Sequence, residues 1–161
     1  GYATSEDGVH WKKYPGNPVF TRDPAQFWDN LKVEACYVLP HDGWYYMFYL
    51  GMSADRWPSI GLARSRDGVT GWERHPDNPI IAGSEGYWDW LCICKPTVLK
   101  SDDGFLMWYN GVNTSYNDGE GAEELGLARH PGFDLWPQRD QPREREMERQ
   151  IIIPCDLFLG Q

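Results

Sequence analysis

The chain has 161 residues, a formal net charge of −9 and an aromatic content of 15%. The acidic balance argues against nucleic acid or an anionic membrane as a partner, because both are bound by basic surfaces. No apolar run approaches the roughly 20 residues that a membrane-spanning helix needs. The length is enough for one domain with a real core, and the aromatic rings can supply that core or stack on sugars.

The four cysteines are too few and too dispersed for a disulfide framework or a zinc site. Cys92 and Cys94 are two positions apart and would share one face of a strand. We therefore expect reduced, mostly buried thiols, no metal and no cofactor. Reduced thiols favour a cytoplasmic location.

Most of the chain is an internal repeat. Residues 1–9 resemble residues 61–69, and residues 15–19 resemble residues 76–80. The longer matches are residues 27–29 with 87–89, 36–39 with 96–99, 47–51 with 107–111, and 60–64 with 125–129. A fixed period of about 60 residues indicates a repeat architecture.

Each period predicts four short strands. The first, over 33–39 or 93–99, is apolar and ends before an Asp-Gly turn. The second is apolar throughout, which is typical of a strand covered on both faces. The third places Gly and Ala on alternate positions, so a neighbouring layer can approach closely. The fourth begins at a tryptophan and ends at Asn17-Pro18 or Asn78-Pro79.

Four antiparallel strands per period, buried on both faces, predict an all-β fold of β-propeller blades rather than a sandwich. Residues 1–136 then hold a partial blade (1–20), a full blade (27–80) and an incomplete third blade (87–130). Residues 137–161 form a charged tail with a possible last strand at 150–154. Closed rings use about four to eight blades, so the chain is a piece of a longer propeller, or a homo-oligomer completes the ring.

The order of these motifs carries a family resemblance. A polar or acidic residue before Pro and Val is followed by an Asp-Gly turn, an aromatic strand ending in Tyr-x-Gly, and an Ile-Gly-Leu-Ala strand with a second Asp-Gly turn. This order resembles the five-bladed propeller glycosidases, which include the family 43 arabinanases and β-xylosidases, the invertase-like family 32 and the family 130 mannoside phosphorylases. The resemblance covers residue 1 to about residue 136. It implies a carbohydrate ligand in an axial pocket and cleavage of a glycosidic bond.

The resemblance also implies roles for single residues. Such enzymes place three carboxylates around the channel, as base or nucleophile, as general acid, and as an orienting Asp. By that match Glu34 is the catalytic acid, although Cys36 stands where the family has Pro. Lys95 falls where the family has the orienting Asp, so it would bind an anionic or hydroxylated ligand, or form an ion pair between blades. No residue matches the base.

Other channel-side and loop residues are candidates for contacts with a sugar. The candidate substrate-binding residues are Trp28, Asp29, Tyr37, Trp88, Asp89, Lys95 and Asn113. The tryptophans either stack on sugar or wedge between blades, and the aspartates either bind hydroxyls or cap turns. The sequence favours glycoside hydrolysis. The alternatives are a non-catalytic carbohydrate-binding or assembly module and a truncated propeller fragment without activity.

Overall fold

The structure is a computed structural model that describes residues 1–113 and 123–137. These residues form β-strands and no helix, so none of their segments is a helix long and apolar enough to cross a membrane. The strands are β1 (Ala3–Thr4), β2 (Lys12–Lys13), β3 (Lys32–His41), β4 (Trp44–Met52), β5 (Ser59–Ser65), β6 (Glu73–Arg74), β7 (Cys92–Lys100), β8 (Gly104–Val112) and β9 (Glu123–Pro131). The charged tail after residue 137, with its possible last strand, lies outside the described residues.

The strands form three antiparallel sheets in chain order. The first sheet is β1-β2, the second is β3-β4-β5-β6 and the third is β7-β8-β9. The expected all-β fold and the succession of two, four and three strands are therefore confirmed for the described ranges. The predicted bounds of the first strand in each period differ from β3 and β7 by at most two residues.

The second and third sheets repeat one irregularity. The pairing of β3 with β4 shifts between Glu34 and Tyr37, and the pairing of β7 with β8 shifts between Cys94 and Thr97. In each bulge one non-glycine residue has a positive φ, 47° at Ala35 and 51° at Lys95. A bulge bends its strand and redirects the neighbouring side chains. Both first strands therefore turn at equivalent positions.

A tryptophan packs on the glycines of each large sheet. A Cβ added to Gly51 or Gly61 would lie 2.2 Å or 2.3 Å from an atom of the Trp28 ring. Trp88 covers Gly111 in the third sheet in the same way, at 2.2 Å. The small residues of the third predicted strand are thus explained: the layer that approaches them is an indole ring from the loop that enters the same sheet.

The fourth strands are shorter than the sequence predicts. β2 and β6 contain two residues each, because an asparagine side chain replaces the rest of the ladder. Asn78 accepts a hydrogen bond from the amide of Leu62 at 2.9 Å and donates one to its carbonyl at 3.0 Å. Asn17 binds both backbone groups of Tyr2 in the same way. The Asn-Pro pairs therefore close each sheet through a side chain.

The main core lies between the second and third sheets. It joins one face of the second sheet to one face of the third, through Tyr46, Phe48, Ile60, Leu62, Ile93, Val98, Phe105 and Met107. The opposite face of the third sheet, called here the exposed face, carries Leu125 and Leu127, 74% and 38% exposed. The equivalent residues of the second sheet, Ile60 and Leu62, are 0% and 3% exposed because the third sheet covers them. The exposed face thus carries apolar side chains like those buried between the second and third sheets. Among the described residues, no further sheet covers it.

We expect Gly51→Ala to destabilise the fold by about 1–3 kcal/mol, since the added methyl group would overlap the Trp28 ring. Urea denaturation followed by circular dichroism measures the change. Gly71→Ala is the control, because nothing lies within 4 Å of its added Cβ and only its positive φ is strained, which costs about 1 kcal/mol. If the Gly51 variant were as stable as the Gly71 variant, the close packing of Trp28 on Gly51 would be contradicted.

A second comparison tests the exposed face. Leu62→Ala should cost about 2–5 kcal/mol, as expected for a buried leucine, whereas Leu127→Ala, at the equivalent and half-exposed position, should cost less than about 1 kcal/mol. The same denaturation experiment measures both. Equal losses would mean that the exposed face is covered in solution.

Candidate functional site

Polar side chains cluster where the first strand of each large sheet begins. In the second sheet Glu34 stands on β3 directly before the bulge, and its side chain is 42% exposed. Lys32 Nζ lies 2.6 Å from Glu34 Oε2. The predicted catalytic acid is therefore accessible to solvent and already forms an ion pair with a lysine of its own strand.

The third sheet carries a second carboxylate at the corresponding end. Glu123, the first residue of β9, accepts hydrogen bonds on Oε1 from Lys95 Nζ at 2.6 Å and from Asn110 Nδ2 at 2.8 Å. Cys94 Sγ lies 4.0 Å from the same oxygen. Lys95 therefore forms an ion pair, but with a partner on its own sheet rather than between two blades as expected.

Sequence reasoning missed Glu123. It starts the third strand of its repeat, where the first copy has Pro58, so the repeat itself gives it no role. One signal was available: Asn110 replaces Leu50 at an otherwise apolar position of the second strand. A polar residue that breaks an apolar repeat usually serves a polar partner, here Glu123.

The strands that carry the two clusters lie beside each other, since β3 packs against β7. A hydrogen bond with Cys92 is the largest cause that lowers the pKa of the Cys94 thiol. The charge of Lys95 acts in the same direction, while burial and the negative charges of Glu123 and Glu34 oppose it. Cys94 therefore lies within electrostatic reach of both carboxylates. The same hydrogen bond and burial raise the pKa of Cys92.

The predicted sugar contacts of the two Trp-Asp pairs are not supported by their surroundings. Trp28 is buried, and Asp29 is 0% exposed. Asp29 Oδ2 accepts hydrogen bonds from Tyr49 Oη at 3.1 Å and from Arg74 Nε at 2.9 Å. Trp28 thus packs on the glycines of its own sheet, and Asp29 is bonded inside its own repeat, so a contact of either with sugar stays a prediction.

The second Trp-Asp pair repeats this arrangement. Trp88 stacks on Tyr109 with the ring centroids 5.7 Å apart, and Tyr109 Oη donates to Asp89 Oδ2 at 3.2 Å. Trp88 is half-buried and Asp89 is buried. Burial leaves Asp89 without the exposure that a sugar contact needs.

Two further candidates differ in accessibility. Tyr37 is half-buried and packs against the core between the second and third sheets. Asn113 is exposed directly after β8, at the end of the sheet where β9 begins with Glu123. A role for either in binding sugar stays a prediction.

The loop between β4 and β5 adds exposed groups at the same end of the second sheet. It contains Asp55, Arg56 and Trp57, and the Trp57 side chain is 57% exposed. The amide of Ile93 donates to the Pro58 carbonyl at 3.2 Å, which joins this loop to the start of β7. In the described ranges, no three His, Cys, Asp or Glu side chains are grouped so that they could hold a metal ion.

The all-β fold is similar to that of solved glycoside hydrolases. The structure is similar to Zg3597, a family 117 glycoside hydrolase of the marine bacterium Zobellia galactanivorans, with a TM-score of 0.66 and 23% identity over 80% of this chain and 37% of that one. It is also similar to a second solved structure described as a glycoside hydrolase, with a TM-score of 0.61 and 26% identity over 86% of this chain and 38% of the other. A solved BT0996 RGII complex matches with the same TM-score, identity and coverage.

Sequence comparison gives a narrower result. The chain is 32% identical over 127 residues to the uncharacterized protein Rv1502 of Mycobacterium tuberculosis, a match that covers 79% of this chain. The chain spans only 38% of that relative's length. No family model matches the chain.

We expect Asp29→Asn to lower the free energy of unfolding by about 3 kcal/mol, because it leaves the Arg74 guanidinium beside a neutral group in a mostly buried site. Thermal and urea denaturation measure the loss. Asp55→Asn, in the exposed loop, should change the stability by less than about 0.5 kcal/mol. A stable Asp29 variant that loses sugar binding would instead restore the ligand role.

Proposed function

We propose that this chain forms part of a β-propeller protein that cleaves glycosidic bonds in a pocket at the starts of β3 and β7. The observation that carries the proposal is that two carboxylates stand at adjacent sheets whose first strands contact each other: Glu34 on β3, and Glu123, which is bonded to Lys95 of β7. The similarity to solved glycoside hydrolases supports the same chemistry.

The propeller arrangement is supported by how consecutive sheets pack. The second and third sheets share a face-to-face core, and their first strands, β3 and β7, contact each other. In a ring of such sheets the first strands line the axis. The exposed face of the third sheet then receives a further sheet, supplied by additional polypeptide or by another copy of the chain.

The proposed roles of the two carboxylates follow from glycoside chemistry. One carboxyl group protonates the leaving oxygen while the other, ionised, activates water or attacks the sugar. Glu123 suits the ionised role because Lys95 and Asn110 both donate to its Oε1. Glu34, which is accessible on the adjacent sheet, then supplies the proton.

A non-catalytic carbohydrate-binding module is the second candidate. Lys32 lies 2.6 Å from Glu34, just as Lys95 lies 2.6 Å from Glu123. An ammonium group in contact with a carboxylate favours its ionised form, which cannot donate a proton. A site with both carboxylates ionised binds sugar hydroxyls without cleaving the glycosidic bond.

Glu34→Gln should reduce turnover of a chromogenic glycoside at least about a hundredfold, the scale of lost general-acid catalysis. Release of the chromophore measures it. Glu73→Gln is the control, and the activity of this variant should not change. Glu73 lies on the outer strand β6, away from the site, and pairs with Arg64 of β5.

Two results would contradict the catalytic proposal. Full activity in the Glu34 variant would remove its role as acid. Saccharide binding without turnover in the unmutated chain would leave the binding module as the function.

A further inference from the structure

The loop between β4 and β5 exposes the indole ring of Trp57 to solvent. This exposure does not result from an uncovered sheet face. Trp57 lies in the loop at the strand ends, whereas the apolar residues of the exposed face lie on the third sheet. The loop backbone is bonded at two consecutive carbonyls: Ser59 Oγ donates to the Trp57 carbonyl at 3.3 Å, and the Ile93 amide donates to the Pro58 carbonyl at 3.2 Å. The backbone that carries the exposed ring is thus joined to β5 and to the start of β7.

Arg56 precedes Trp57 in the loop and contacts a second aromatic ring. Its guanidinium carbon lies 4.7 Å from the centroid of the Phe27 ring, so a cation–π contact holds the side chain. Lys32, Lys95 and Arg74 each pair with a carboxylate. Within residues 1–113 and 123–137, Arg56 is in no such ion pair. A guanidinium held on a ring keeps its planar set of donors available for a carboxylate ligand.

The same loop forms a small depression. Its volume is about 230 Å³, and its lining residues are Ala54, Asp55, Arg56 and Trp57. Pockets for drug-sized ligands measure about 300–1,000 Å³, so this depression suits a single sugar unit rather than a longer segment. It combines an apolar ring, a guanidinium and a hydroxyl-accepting carboxylate in one place.

We propose that Trp57 and Arg56 form a subsite for one acidic sugar unit, a hexuronate residue of a glycan. The C–H face of the sugar stacks on the indole ring, its carboxylate binds the Arg56 guanidinium, and Asp55 accepts hydrogen bonds from its hydroxyls. The inference rests on the proposed function, because the loop adjoins the start of β7, where the carboxylate site lies.

Isothermal titration of the full chain tests this subsite. The probes are galacturonate and glucuronate oligosaccharides, each with the neutral galactose or glucose oligosaccharide of the same length. The unmutated chain should bind a uronate probe at least about tenfold more tightly than its neutral counterpart, the scale of one charge-assisted contact. The preference should weaken as salt is added.

Two variants and one control separate the contributions. Trp57→Ala should weaken binding of both probe classes by about tenfold or more, since stacking on an aromatic ring is worth about 1–3 kcal/mol for a nucleobase. Arg56→Gln should abolish the uronate preference and leave neutral binding unchanged. Trp11→Ala, whose ring is 62% exposed on the first sheet, should bind like the unmutated chain. Circular dichroism confirms that each variant is folded.

The outcomes distinguish this inference from the proposed function. If the unmutated chain binds saccharides and the folded Trp57 variant binds them equally well, the subsite is overturned while the proposed function stands. A preference for the neutral probes, or equal losses for both classes in Arg56→Gln, overturns the acidic assignment. If the unmutated chain binds neither class, the inference fails, while the proposed function still depends on the turnover of the chromogenic glycoside.

Discussion

The packing of one tryptophan on two glycines holds each large sheet to the loop that enters it. The Trp28 ring covers Gly51 of β4 and Gly61 of β5 so closely that neither position has room for a methyl group. This contact places the next residue, Asp29, under the hydroxyl of Tyr49. Since β3 begins three residues later, at Lys32, the same contact fixes where β3 begins, and with it the strand end that carries Glu34.

The repetition of this unit explains both the core and the exposed face. The second and third sheets share one internal construction, so equivalent positions lie on equivalent faces. One face of the third sheet covers the second sheet, and its opposite face leaves the counterparts of the covered residues exposed. Leu127 is the counterpart of the buried Leu62 and is itself 38% exposed.

The candidate polar site is formed by residues that differ between the two copies of the repeat. The bulge backbone is the same in both, with positive φ at Ala35 and Lys95. The side chains differ: Glu34 in the first copy corresponds to Cys94 in the second, and Leu50 corresponds to Asn110. The shared residues build the scaffold, and the residues that depart from the repeat gather at one end of it. A polar group there costs little to place because the strand end is open to water, unlike the apolar middle of the sheets.

The sequence by itself determined the antiparallel strands, their number per sheet and the glycine positions, because these depend on period, local turn chemistry and side-chain size. It also indicated Glu34 and Lys95 as members of a polar site. Only the tertiary structure decided that Trp28 and Asp29 lie inside the repeat, and that Glu123 and Trp57 lie near β7. Glu123 is 28 residues from its partner Lys95 along the chain, and Pro58 is 35 residues from Ile93. Such contacts depend on how strands pair and sheets stack, which no local pattern of residues encodes.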